Sequence, residues 1–112
     1  MLYIISSNLQ IIIPLDELPP HHIDREALAA SVERSHRWEV RSLREHLKDP
    51  REQAIFCVVH GGTDVELRTK SLEYLTKLPW DGYAIGGSLG KPCNTSVSYF
   101  APSFSLTEYD IW

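Results

Sequence analysis

The sequence predicts an α/β domain built on a parallel sheet, in the order β-α-β-α-β. Three observations carry that prediction. Short apolar runs recur three times and each ends in a polar or glycine cluster: Ile11-Ile12-Ile13 before Asp16-Glu17, Ala54 to Val59 before His60-Gly61-Gly62, and Tyr83-Ala84-Ile85 before Gly86-Gly87-Ser88. Two stretches with helical periodicity separate the runs, and the loops between them are short, as in β/α units. Ligands of parallel sheets lie outside the carboxyl ends of the strands, so the three clusters are expected to open on one face.

Strands are expected near residues 10–15, 53–59 and 82–86. The first helix, from Asp24 to Lys48, has Ala29, Val32, His36, Val40, Leu43 and Leu47 at steps of three and four, an apolar stripe directed at the sheet. Opposite it runs a basic ridge of Arg34, Arg37, Arg41, Arg44 and Lys48 with Trp38 beside it. The ridge reads as a solvated outer face with Glu33 and Arg37 paired, or as a contact for phosphates or an acidic partner. His36, inside the stripe, reads as a satisfied core histidine. The second helix opens with Thr63-Asp64-Val65-Glu66, a Thr-x-x-Glu capping box, and stops at Leu78 because Pro79 follows. Leu67, Ser71, Tyr74, Leu75 and Leu78 form its inward side.

Size and composition narrow the classes. The 112 residues suffice for one domain with a modest core, and 43% hydrophobic content is ordinary for a globular chain. A net charge of −4 offers no general attraction to nucleic acid, so any RNA contact needs a local patch. Cys57 and Cys93 suggest no disulfide framework, which points to a reducing compartment and a cytoplasmic chain. The N-terminus lacks a basic leader and its apolar run breaks quickly, so neither a signal peptide nor a membrane span is expected. Residues 1–9 are unassigned. From residue 92 the pattern changes: Pro92 and Pro102 interrupt, Glu108 and Asp110 are the only charges, and Val97 to Phe100 suits at best an added strand. A poorly packed tail over 92–112 is expected.

Several chemistries are excluded by spacing. Gly86 to Lys91 has Ile85 and Pro92 where a phosphate-binding loop requires glycine and a hydroxyl residue. Cys57 and His60 have no second pair at zinc-ligand spacing. His21-His22 lies in a Pro-rich, solvent-facing turn, and no Gly-x-Ser-x-Gly elbow supports a hydrolase. What remains is a carboxylate, an imidazole and exposed backbone amides. Asp16 can accept two adjacent N–H donors of a purine edge, and the amides of Gly86 and Gly87 can donate to a ring carbonyl. Guanine has both features, although the same residues also suit a turn cap and a strand end.

Further residues carry a resemblance. Asp16-Glu17-Leu18-Pro19-Pro20, Ser35-His36-Arg37-Trp38, His60-Gly61-Gly62 with Glu66-Leu67-Arg68, and Asp81-Gly82-Tyr83-Ala84-Ile85-Gly86-Gly87 occur in order. Over residues 10–91 the chain resembles the central part of queuine/archaeosine-type tRNA-guanine transglycosylases, the Gly-Tyr-Ala-Ile-Gly-Gly run being the most specific part. The resemblance implies a partial (β/α)₈ TIM barrel from an enzyme that exchanges guanine in tRNA for a queuine-type base through a covalent aspartate intermediate.

Carried over by position, Asp16 matches the aspartate on the Watson–Crick edge of the base, and Gly87, with Gly86 beside it, the backbone amide at the base carbonyl. His60 stands where many members have glutamine, which makes binding sensitive to protonation. Lys91 replaces an acidic residue of other members and leaves contacts at that loop end in doubt. The Asp-Ser-Gly-Gly segment, the nucleophilic aspartate and the Cys/His structural zinc site of the family have no counterpart here, so no catalytic residue and no cofactor is assigned to this chain. The expectation is a fragment inactive alone, with tRNA and a queuine-type base as partners by resemblance. The alternative is a non-catalytic binding subunit or interaction module for a partner transglycosylase or tRNA.

Overall fold

The computed structural model describes residues 10–87. Expectations for residues 1–9, Lys91 and the tail from 92 to 112 lie outside the described residues. Within them the order is β1 (Ile11–Ile12), α1 (Arg25–Lys48), β2 (Ala54–Val59), α2 (Val65–Leu75) and β3 (Gly82–Ile85). The three strands form a parallel sheet in the order β1-β2-β3, with Ile12 beside Ile55, and Cys57 and Val59 beside Tyr83 and Ile85.

The near-continuous apolar sequence of β2 suits the middle of a parallel sheet. Alternate side chains Ile55, Cys57 and Val59 join Ile12, Leu43, Leu75 and Trp80 in one buried core between sheet and helices. Gly82 lets β3 approach β2, because a Cβ there would lie 2.6 Å from the Phe56 ring. At the amino ends of the strands, Ile55 N–H donates to the Asp81 carboxylate at 2.8 Å and Asp81 N–H to the Ile55 carbonyl at 3.0 Å.

Helix α1 forms where the periodicity predicts, with Asp24 as N-cap accepting from Ala27 N–H at 2.9 Å. Its buried line corrects the expected stripe. Leu28, Ser35, Glu39, Ser42 and His46 are buried, each one residue before the expected Ala29, His36, Val40, Leu43 and Leu47; Val32 and Leu43 are buried as expected, and Leu47 is exposed. One residue is about 100° of helix rotation. The serines are small enough for close packing and their hydroxyls find partners: Ser35 Oγ accepts from Glu17 N–H at 3.0 Å, and Ser42 Oγ donates to the Trp38 carbonyl at 2.7 Å. On the outer face Arg37, Arg41, Arg44 and Lys48 are exposed, as a solvated face requires. Arg34 instead turns toward the β1–α1 loop and pairs with Glu17 at 2.6 Å.

Three expectations for α2, its cap, its end and the inward place of Tyr74, are also corrected. The N-cap is Asp64, not Thr63; its carboxylate accepts from Leu67 N–H at 2.9 Å and from Arg25 at 2.8 Å, and the second contact ties the two helix starts together. The helix ends at Leu75, where Thr76 folds its hydroxyl back onto the Leu72 carbonyl, so Leu78 packs against the core from the following turn. Tyr74 is exposed and stacks on His36, with ring centroids 4.9 Å apart. No helix among the described residues is long and apolar enough to cross a membrane.

Candidate functional site

At its carboxyl end β2 runs into His60-Gly61-Gly62. Gly61 has φ 135° and Gly62 φ 55°, and a Cβ on Gly61 would lie 2.5 Å from the backbone nitrogen of Arg68. Only glycine permits this turn against the start of α2. Arg68 reaches back from α2, donating through Nε to the Gly62 carbonyl at 2.7 Å and through Nη1 to the Val59 carbonyl at 2.5 Å. It is 1% exposed. An arginine buried on strand-end carbonyls fixes the loop that presents His60.

His60 is itself buried. Its backbone N–H donates to Ser71 Oγ at 3.0 Å, and the same hydroxyl lies 2.7 Å from His36 Nε2. Since Ser71 accepts from His60, its proton is free to go to His36 Nε2, which leaves His36 neutral and satisfied. Burial, with His60 nearby, holds His36 down to about 4. The histidine is satisfied as expected, but it is half-buried between Ser71 and Tyr74, outside the apolar core. The His60 ring places Nε2 3.7 Å from Asp16 Oδ2 and 3.8 Å from Glu39 Oε1, and Nε2 has no hydrogen-bond partner. Burial, reinforced by the Arg68 guanidinium, pushes His60 down to about 4, so the imidazole is neutral at neutral pH.

Of the four residues singled out from the sequence, Asp16, His60 and Gly87 are brought together at the carboxyl-end rim. Asp16 is half-buried in the loop after β1. Gly87, with φ 77°, lies against the His60 ring: a Cβ there would stand 3.5 Å from Nδ1 and 3.7 Å from Arg68 Nη2. Gly86 packs over β2, where a Cβ would meet Val58 Cγ1 at 2.6 Å. Gly87 therefore keeps backbone, not a side chain, next to His60, and Gly86 does the same over Val58. His21 and His22 are exposed in a turn. A cavity of about 260 Å³ beside the rim is lined by Pro20, Leu28, Thr63 and Asp64 among others, and by none of the four.

Two rim residues escaped the sequence reading. Glu39 is fully buried, and its Oε1 accepts from Val58 N–H at 2.6 Å while Oε2 has no partner. Burial pushes its carboxyl up to about 8, opposed by the Val58 N–H and assisted by nearby Asp16, so Glu39 is protonated at neutral pH. The signal was its spacing of four from Ser35 and from Leu43, visible only once serines count as buried positions. Arg68 was noted as part of a motif but not as a buried group; burial lowers it to about 10 and leaves it a cation.

The structural zinc implied by the resemblance finds no fit in this segment. Among the described residues no group of three or more His, Cys, Asp or Glu is placed to hold a metal ion. Cys57 is buried in the core, its Sγ 3.8 Å from the Gly82 carbonyl.

A family model described as queuine tRNA-ribosyltransferase matches residues 4–109, a wider span than the 10–91 of the motif resemblance. A queuine tRNA-ribosyltransferase of Protochlamydia amoebophila is 63% identical over 81 residues, 72% of this chain and 21% of that protein. Proteins of the same name from Chlamydia felis and Chlamydia pneumoniae are 48% identical over 87 residues and 52% over 81, covering 78% and 72% of this chain. These two alignments cover 23% and 22% of the respective relatives, so the chain spans less than a quarter of the curated proteins it matches.

Proposed function

The chain belongs to the queuine tRNA-ribosyltransferase family, and we propose that it carries the base-reading rim of a tRNA-guanine transglycosylase, as part of a (β/α)₈ barrel. The observation that supports this most is the convergence of Asp16, His60 and Gly87 at the carboxyl end of a parallel sheet. In this reading Asp16 accepts the adjacent N–H donors of guanine or a queuine-type base. The Gly87 amide, with Gly86 beside it, donates to the base carbonyl, and neutral His60 closes the side of the pocket. The tRNA is the source of the guanine.

Exchange of the base requires a carboxylate to attack ribose C1′ as the bond to guanine breaks, and a second group to manage the proton. Asp16 is directed along the base edge, away from that carbon. The family's nucleophilic aspartate has no counterpart among these 112 residues, so the chain by itself orients a base without exchanging it. A second reading, a non-catalytic partner for a transglycosylase chain, draws on the first strand and the loop after it. Ile11, Ile13, Leu15 and Leu18 are exposed there, and β1 is an edge strand among the described residues.

The test uses the purified chain, labelled guanine and tRNA. Calorimetry should detect guanine binding that Asp16→Ala abolishes, with no label entering tRNA. Robust incorporation by the chain alone would mean that it contains the nucleophile, and guanine binding unchanged in Asp16→Ala would remove the base-reading role.

A further inference from the structure

Two polar atoms are buried without partners beside Asp16: His60 Nε2 and Glu39 Oε2. They belong to side chains that approach each other from different elements, Glu39 from α1 and His60 from the end of β2, with Glu39 Oε1 and His60 Nε2 3.8 Å apart. Glu39 contributes nothing to the apolar core, and a buried carboxyl held by a single backbone donor is costly.

We propose that Glu39 is a positioning residue: buried against His60 with one oxygen held by Val58 N–H, it leaves the His60 Nε2 proton directed toward Asp16 and so orients the Asp16 carboxylate for a ligand. The inference rests on the base-reading role of Asp16 for its consequence, but the arrangement of the three side chains stands by itself. Nε2 lies 3.7 Å from Asp16 and 3.8 Å from Glu39, beyond hydrogen-bond distance of either, so a proton carried on Nε2 can turn toward one carboxyl group or the other. The competition is unequal. Glu39 Oε1 already accepts from Val58 N–H, and as an uncharged acid it is the weaker acceptor. A proton on Nε2 is therefore directed toward Asp16, and a small movement of either side chain would close the bond.

Ionisation of Glu39 would reverse that balance. Its carboxylate would draw the Nε2 proton away and repel Asp16 across the same small space. Other charged or titratable groups face the cluster from each packed element: His36 on α1, Cys57 on β2 and Arg68 on α2, besides Asp16 in the loop after β1. His36 is neutral, Cys57 is raised to about 12, and Arg68 is a cation well beyond neutral pH. Glu39, at about 8, is thus the group whose ionisation this cluster should report between pH 7 and 9.

The experiment is nitrogen-15 NMR of histidine-labelled full chain from pH 6 to 9, with guanine as the ligand probe. His60 should be in the Nε2–H form at pH 6.5. Its ring signals should then shift with a midpoint near pH 8 while the ring stays neutral, and Glu39→Gln should keep the Nε2–H form and lose that midpoint. Guanine affinity should fall about tenfold between pH 7 and 9 in wild type relative to Glu39→Gln, whose own pH profile corrects for titration of guanine itself. An Nδ1–H tautomer, or identical titrations of the two proteins, would overturn the inference. Should Glu39→Gln fail to fold, the wild-type tautomer and midpoint decide it alone. If the NMR result holds and neither protein binds guanine, the positioning stands and the base-reading function fails.

Discussion

The helix-covered side of the sheet and the base of its carboxyl-end rim are both buried but built from opposite chemistry. Ile12, Leu43, Ile55, Cys57, Val59, Leu75 and Trp80 make a dry apolar core, whereas Glu39, His60, Arg68 and Ser71 are buried polar groups joined largely through backbone carbonyls and amides. Apolar burial is non-directional and tolerates many side chains of suitable size. The rim depends on individual hydrogen bonds, because each buried polar group stabilises only if its partner is present. The rim should therefore be fragile residue by residue and sensitive to pH, and the core sensitive to volume alone.

The largest expected effect is at the rim. Arg68→Ala removes the donors to the Gly62 and Val59 carbonyls and empties a buried space, and should cost about 3–4 kcal/mol or prevent folding. Chemical denaturation measures it; a loss below about 1 kcal/mol would show that the β2–α2 turn holds itself. In the core, Leu75→Ala at a fully buried position should cost about 3 kcal/mol through the cavity it leaves. That loss should be independent of pH between 5 and 8, and a marked pH dependence would blur the distinction between the two regions.

An intermediate effect comes from the rim's titratable groups. His36 and His60 sit at about 4 against an ordinary 6.5, so between those values the unfolded chain binds more protons and stability rises with pH. Glu39 sits at about 8 against an ordinary 4.5, so the folded chain holds the extra proton and stability falls across that window. The two rising contributions outweigh the falling one below pH 6.5, and only the falling one acts above it. Stability should peak near pH 6.5 and drop by about 1–2 kcal/mol toward pH 8. Urea midpoints across pH would show this, and Glu39→Gln should flatten the alkaline side. A flat wild-type profile from pH 6.5 to 8 would mean that Glu39 is ionised throughout.

The smallest effect is predicted outside both regions. Arg41 is exposed on α1 without an ion pair among the described residues, and Arg41→Ala should change stability by less than about 0.5 kcal/mol. A larger loss would show that the basic ridge packs on something more than solvent.

The core was more legible in the sequence than the rim. Hydrophobic runs in β2 and the leucines of α2 revealed the strands, their parallel order and most core positions, because apolar burial leaves a periodic trace. The inward line of α1 was displaced by one residue because Ser31, Ser35 and Ser42 read as polar, while the structure buries all three. The cap of α2 went to Asp64 over Thr63, since a carboxylate there satisfies both Leu67 N–H and Arg25. Asp16, His60 and the glycines were visible because each stands directly after a strand or in a recognisable motif.

By itself the sequence determined the α/β alternation, the parallel direction of the strands and the face on which Asp16, His60 and Gly87 would meet, since these follow from local period and from the direction of the strands. Only the tertiary structure decided that Glu39 is buried beneath His60 and that Arg68 anchors the turn presenting it. A charged residue type carries no sign of its burial along the chain. Its environment is set by partners 19 residues away, as for Glu39 and Val58, or in another element, and exists only after the chain has folded.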